Sequence, residues 1–230
     1  MNKYEIVKKI EEFAPTETAQ SWDYVGFIVE TTQKEISKVM LCLTPTKDIV
    51  KQAFEKNCDM IISHHPLFFV PNCFANIDIY CAHTNMDLAN GGTTDTLIKA
   101  LDLNQKNLYH DGFLRYVELD NAVKITEFAQ ILRKISPNLR YTNNKNIETI
   151  KKIAFCAGSG SEFIELAQQN DADCLVTGDL KFHTALESDI VVFDIGHFES
   201  EILILDVFKK IIGKNIEIVI ADEKSPFIYW

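Results

Sequence analysis

The feature that most constrains this chain is an internal repeat. Residues 38 to 69, KVMLCLTPTKDIVKQAFEKNCDMIISHHPLFF, lie on residues 152 to 183, KIAFCAGSGSEFIELAQQNDADCLVTGDLKFH, without a gap at an offset of 114. Identities fall at Lys38/Lys152, Cys42/Cys156, Ala53/Ala167, Asp59/Asp173 and Phe68/Phe182, and apolar character matches at most other core positions. Each copy reads as strand, helix, strand. Val39 to Leu43 is a short apolar run stopped by Thr44-Pro45, a breaker that can open a helix, and Ile49, Val50, Ala53 and Phe54 then recur at helical spacing. Met60-Ile61-Ile62 follows Asp59 as the unbroken apolar run of a buried parallel strand. The second copy has Gly158-Ser159-Gly160 as its turn and Cys174-Leu175-Val176 as its buried strand.

Two such copies predict an α/β fold of two related lobes with mixed, largely parallel sheets. The first lobe is read as residues 1–108 with 196–230, carrying most of the candidate metal ligands, and the second as 109–195. Ligands gather beyond the carboxyl ends of parallel strands. The repeat matches His64-His65 with Gly178-Asp179, both just after the second strand, so a metal site is expected in a cleft between the lobes. A third buried strand, Ile190 to Ile195, ends at Gly196-His197, and ESEILILDVFKKIIG continues as a helix closed by Lys209-Lys210 and Gly213. Residues 122–135 read as a surface helix stopped before Pro137, and YTNNKN as a turn or loop.

Composition narrows the partners. A formal net charge of -10 argues against duplex nucleic acid, which needs clustered Lys and Arg. No apolar run approaches the roughly 18 residues of a membrane span, and the N-terminus MNKYEIVKKIEEFA has helical spacing rather than an apolar targeting segment. A cytoplasmic protein with no membrane partner is expected. The six cysteines include no C-x-x-C pair and most lie in apolar runs, where a thiol behaves as a small hydrophobe.

Four of the six histidines fall in segments rich in metal donors: SHHPLFF, AHTNMD and GHFESE. Successive residues of an extended chain point to opposite sides, so His64 and His65 at a strand end offer one ring to each of two metals. The alternative is one core histidine bonded to backbone beside an exposed neighbour. Asp87 is four residues beyond His83 and is a hard ligand just past a strand; alternatively Asp87, Thr84 and Asn85 cap the helix that includes Thr94 to Leu101. His83 reads as a neighbour of the ligands rather than one of them. His197 and Glu201, at i and i+4 on the first turns of a helix, share one face within reach of one ion. Asp179, Lys181 and His183 of GDLKFH stand opposite the histidines by the repeat.

Five ordered motifs, SWDYVG (21–26), SHHPLFF (63–69), AHTNMD (82–87) with NGGTTD, TGDLKFH (177–183) and DIGHFESE (194–201), resemble those of the NGG-interacting-factor-three-like proteins, also called GTP cyclohydrolase I type II homologues. The resemblance covers nearly the whole chain. It implies two α/β domains, a dinuclear metal site between them and a toroidal homohexamer. On that resemblance His64 and His65 serve one metal each, Asp87 and His197 are further ligands, and Glu201 bridges. The chain resembles the short form, without the domain that longer members insert. Of a Gly-rich, Arg-containing segment of the family, HDGFLRY (110–116) keeps only Gly112 and Arg115.

These readings converge on two divalent ions per chain, drawn from Zn, Mn, Fe, Co or Ni, bound by His64, His65, Asp87, His197 and Glu201. The expected activity is metal-dependent hydrolysis of a nucleotide or small phosphorylated compound. His83, His183 or Asp179 would serve as acid or base, and Lys181 would hold a phosphate. The alternative is a protein that stores or delivers metal and has no substrate.

Overall fold

A computed structural model describes residues 1–67, 69–103 and 105–228; Phe68 of the repeat lies outside the described residues. In chain order the elements begin with α1 (Lys3–Phe13), β1 (Gly26–Val29), β2 (Lys38–Cys42), α2 (Lys47–Glu55), β3 (Met60–Ser63), β4 (Asp78–Cys81), α3 (Thr84–Leu88) and α4 (Thr93–Leu101). They continue with β5 (Gln105–Asp111), β6 (Leu114–Lys124), α5 (Ile125–Leu132), β7 (Arg140–Thr142), β8 (Thr149–Phe155), α6 (Ile164–Gln169) and β9 (Cys174–Thr177). The last are α7 (Phe182–Glu187), β10 (Val191–Asp194), α8 (His197–Glu201), α9 (Ile204–Ile212) and β11 (Glu217–Ile220).

The chain divides into two compact units, Met1–Gly92 with Ile204–Lys224 and Thr93–Leu203 with Ser225–Trp230. The first holds a five-stranded sheet in the order β1-β4-β3-β2-β11. Its four strands β4, β3, β2 and β11 run parallel, and β1 is antiparallel at the edge. Met40, Cys42, Ile61 and Ile79 pack there with Ile49, Val50 and Ala53 of α2.

The second unit holds a six-stranded sheet in the order β5-β6-β8-β9-β10-β7. Only β8, β9 and β10 are mutually parallel, and β5, β6 and β7 pair antiparallel, so "largely parallel" holds for the first sheet and not the second. Both faces of its centre are covered. Phe155, Val176 and Phe193 pack with α4 and α5, while Ala154, Leu175 and Val192 pack with Ile164, Ala167 and Leu180. This two-sided burial explains the unbroken apolar runs. Residues 93–108, 196–203 and 225–230, grouped with the first lobe in sequence, belong to this second unit. Leu97, Ile98 and Leu101 of α4 enter its core, and α8 packs on α4.

Three local expectations change. Residues 122–124 extend β6, with Val123 and Lys124 paired to Ile150 and Thr149, and α5 starts only at Ile125 and buries its apolar side. Tyr141 and Thr142 form β7, paired with Phe193 and Val192. The expected helix after His197 is two helices, α8 and α9.

The repeat is structural. Asp59 accepts the backbone N–H groups of Ser37 and Lys38, and Asp173 accepts those of Lys151 and Lys152, each pair 114 residues apart in register. Asn57 and Asp171 close the two helices at φ 53° and 55°. Asp59 is tuned by this: burial alone raises its carboxyl, but hydrogen bonds from Ser37, Lys38 and Gln33 hold it below its ordinary value.

Candidate metal centre

In the first unit β3 ends at Ser63 and the next two residues turn onto β2, with His64 N–H donating to Cys42 O at 3.2 Å and His65 N–H to Leu43 O at 2.7 Å. The two rings therefore lie side by side, centroids 5.1 Å apart, rather than on opposite faces of a strand. His64 is fully buried. Its Nδ1 is 3.1 Å from Ala82 O, a pure acceptor, so Nδ1 carries a proton. Asp87 on α3 places Oδ1 3.4 Å from that Nε2. His65 Nδ1 is 2.7 Å from Thr44 Oγ1. His83, just before α3, joins them: one donor nitrogen from each of His64, His65 and His83 lies within 4.8 Å of the others, an arrangement able to hold a metal ion.

His83 has a partner that sequence reasoning missed. Asp23, from the SWDYVG segment, is fully buried at its side chain and faces His83 Nδ1 at 3.0 Å. Its other oxygen accepts Thr84 N–H at 3.0 Å and the Thr84 hydroxyl. Burial alone raises the Asp23 carboxyl, but the hydrogen bonds of Thr84 and His83 outweigh it and hold it below its ordinary value. Thr84 and Asn85 are ties of this kind, not caps of α4: Asn85 Oδ1 accepts His83 N–H and its Nδ2 donates to Ala14 O.

In the second unit Gly196, at φ +84°, turns β10 into α8, whose single turn carries His197 and Glu201. His197 Nε2 lies 2.9 Å from Glu201 Oε2, the i, i+4 pair read from sequence, and Nδ1 lies 2.6 Å from Asp179 Oδ2. Burial lowers the basicity of His197, but Glu201 and Asp179 more than reverse this, and its pKa is pushed up to about 9. The ring sits between two carboxylates, a place built for positive charge. Glu201 is buried, and space for its carboxylate exists because residue 158 is glycine: a Cβ there would lie 2.2 Å from Glu201 Oε1. Gly178 is likewise required, since its Cβ would lie 2.7 Å from His197 N.

Other sequence candidates lie elsewhere. Lys181 and His183 are exposed at the start of α7. Lys181 lines an open cavity of about 400 Å³ together with Glu162, Glu165 and Glu187, which is poorly suited to phosphate. Arg115 is fully buried, its Nε 3.1 Å from Asp95 and its Nη1 donating to Gly112 O. Burial pushes the thiols of Cys42, Cys81 and Cys174 well up, as inert core groups.

Comparison with known proteins gives this geometry a family. The profile of Duf34/NIF3 (NGG1p interacting factor 3) matches residues 1–226. The chain belongs to the Duf34/NIF3 family. A GTP cyclohydrolase 1 type 2 homolog of Clostridium perfringens is 33% identical over 99% of both chains. NIF3-like protein 1 of Drosophila melanogaster is 30% identical over 92% of this chain and 82% of its own length. Among solved structures, reduced HcgD from Methanocaldococcus jannaschii superposes with a TM-score of 0.83 at 28% identity, covering 97% of this chain and 98% of that one. The mixed α/β fold with two mixed sheets is thus the fold of this NIF3-family member. Among the described residues no helix is long and apolar enough to cross a membrane.

Proposed function

We propose that this NIF3-family chain is a metal-dependent hydrolase acting on a nucleotide or small phosphorylated compound, with two divalent ions held by His64, His65, Asp87, His197 and Glu201. In this reading His65, Asp87 and Glu201 serve one ion, His64, His197 and Glu201 the other, and Glu201 is shared. The single observation that carries it is the setting of His64. With Nδ1 turned to Ala82 O, the buried Nε2 faces the Asp87 carboxylate, so groups assigned to neighbouring ions lie side by side in a polar pairing that offers little to an apolar core. Imidazole and carboxylate donors match Zn, Fe, Co, Ni or Mn better than Mg or Ca. Such ions, when bound, polarise the substrate and lower the pKa of a water toward 7.

The chain's own groups then have distinct parts. Thr44 and Ala82 orient the two rings of the first unit, Asp179 orients His197, and His83 is placed to move a proton beside the histidines. The names of relatives such as the Clostridium perfringens protein favour a nucleotide-type substrate. The acidic lining beside Lys181 favours the second reading, a metal-handling protein without a substrate. We place the protein in the cytoplasm as a homohexamer, which light scattering checks.

The test is elemental analysis of protein purified without chelator or added metal, followed by a phosphatase and GTP-turnover screen with the metal found. Two ions per chain with turnover supports the hydrolase. Two ions without turnover across common nucleotides supports metal handling, and fewer than one ion after repletion removes both.

A further inference from the structure

Asp23 has a buried carboxylate, four hydrogen-bond partners and no part in binding metal by any assignment above. Its Oδ1 accepts Tyr24 N–H at 2.7 Å and faces His83 Nδ1 at 3.0 Å; its Oδ2 accepts Thr84 N–H and hydroxyl. The segment is clamped as well, with Asp23 N–H on Gln20 O at 2.9 Å and Gln20 N–H on Thr84 Oγ1 at 3.0 Å. An ionised carboxylate only accepts, so the His83 nitrogen facing it must donate. The lone pair is then confined to Nε2. The Nδ1 atoms of His64 and His65 face Ala82 O and Thr44 Oγ1, and one donor nitrogen from each of His64, His65 and His83 lies within 4.8 Å of the others.

We infer that Asp23 is a positioning residue that fixes His83 as its Nδ1–H tautomer and aims the Nε2 lone pair at the His64–His65 cluster, making His83 the general base of the site. The inference rests on the hydrolase reading for its chemistry, and its tautomer content stands without it. In the step, Nε2 takes the proton of the attacking water as the water oxygen bonds to the electrophile. It returns that proton to the leaving atom as the old bond breaks, while Nδ1–H stays on Asp23 and holds the ring through both transfers. Trp22 packs edge-on against His83, centroids 6.3 Å apart, and limits ring rotation.

The experiment is ¹⁵N NMR of the full chain labelled at histidine, before and after zinc loading, with the His83 signals assigned from His83→Gln. Wild type should show the Nδ1-protonated pattern. Asp23→Asn replaces one accepting oxygen by a donating amide nitrogen where each oxygen now meets two donors, so the Nδ1–H preference of His83 should be lost toward Nε2–H. Asp23→Ala should give a mixture. Both variants should keep the wild-type zinc count, and any turnover should fall about 10²- to 10⁴-fold, with kcat affected more than KM. An Nε2-protonated His83 in wild type, or an Nδ1-protonated ring retained in both variants, overturns the inference. If wild type turns nothing over, the hydrolase reading fails, whereas the tautomer result is read independently.

Discussion

Positions 44, 64 and 65 of the first copy of the repeat correspond to 158, 178 and 179 of the second, and here two copies in the same register part. In the first copy all three carry side chains that converge: Thr44 holds His65, and His64 lies against Asp87. In the second, two of the matching positions are emptied. Gly158 leaves room for the Glu201 carboxylate, Gly178 lets the start of α8 approach, and only Asp179 keeps a polar side chain, whose Oδ2 faces His197 Nδ1. The same strand ends thus do opposite work. The first copy carries the candidate ligands itself, and the second is hollowed to seat a helix that carries them. The αL conformation of Asp179, at φ +56°, belongs to that arrangement.

The largest effect that would sharpen this contrast is at position 64. His64→Ala should remove an ion outright, leaving at most one per chain by elemental analysis, whereas a copy that only scaffolds would keep both. Next is Gly158→Ala, which sets a Cβ 2.2 Å from Glu201 Oε1 on a backbone at φ +69°. A loss of about 1–2 kcal/mol in denaturant unfolding is expected from the left-handed backbone; Thr44→Ala, the matching change in the first copy, should cost less by the same assay. Equal costs would erase the distinction. Asp179→Asn should keep both ions and weaken the binding of one by about 10- to 100-fold, as loss of a ligand's orienting partner does, read by competition with a metal indicator.

The smallest effect concerns what the copies share. Asp59→Asn and Asp173→Asn each loosen two backbone N–H bonds and should cost about 1–2 kcal/mol at pH 7. The Asp59 carboxyl is held below its ordinary 3.8 in the folded chain. Its contribution is therefore complete above that value and is lost as pH falls through the lower folded one. The gap between wild type and Asp59→Asn, followed by unfolding from pH 7 to 3, should narrow below about pH 4; a gap that widens on acidification would contradict the assignment.

Much of this was legible in the chain because its signals are local or repeated. Unbroken apolar runs marked the central strands, and the ungapped offset placed Asp59 and Asp173 in equivalent roles. The i, i+4 spacing paired His197 with Glu201. What escaped was decided by distant partners. Residues 122–124 carry a helical period but are claimed by β8, and β5 is exposed along its length, so no alternation marks it. Asp23 meets His83 across 60 residues, and although SWDYVG stands out as a motif, its spacing does not reveal that partner. The unit boundary differs because α4 packs on the second sheet and α8 packs on α4, which sequence order does not reveal.

The central proposal is that His64, His65, Asp87, His197 and Glu201 hold two ions with Glu201 shared. Stoichiometric zinc titration of chelator-treated wild type and Glu201→Ala tests it most directly. The account predicts two ions in wild type, and in Glu201→Ala a weakening of both together, since each loses the same carboxylate. Two ions bound by Glu201→Ala with wild-type affinity would contradict it.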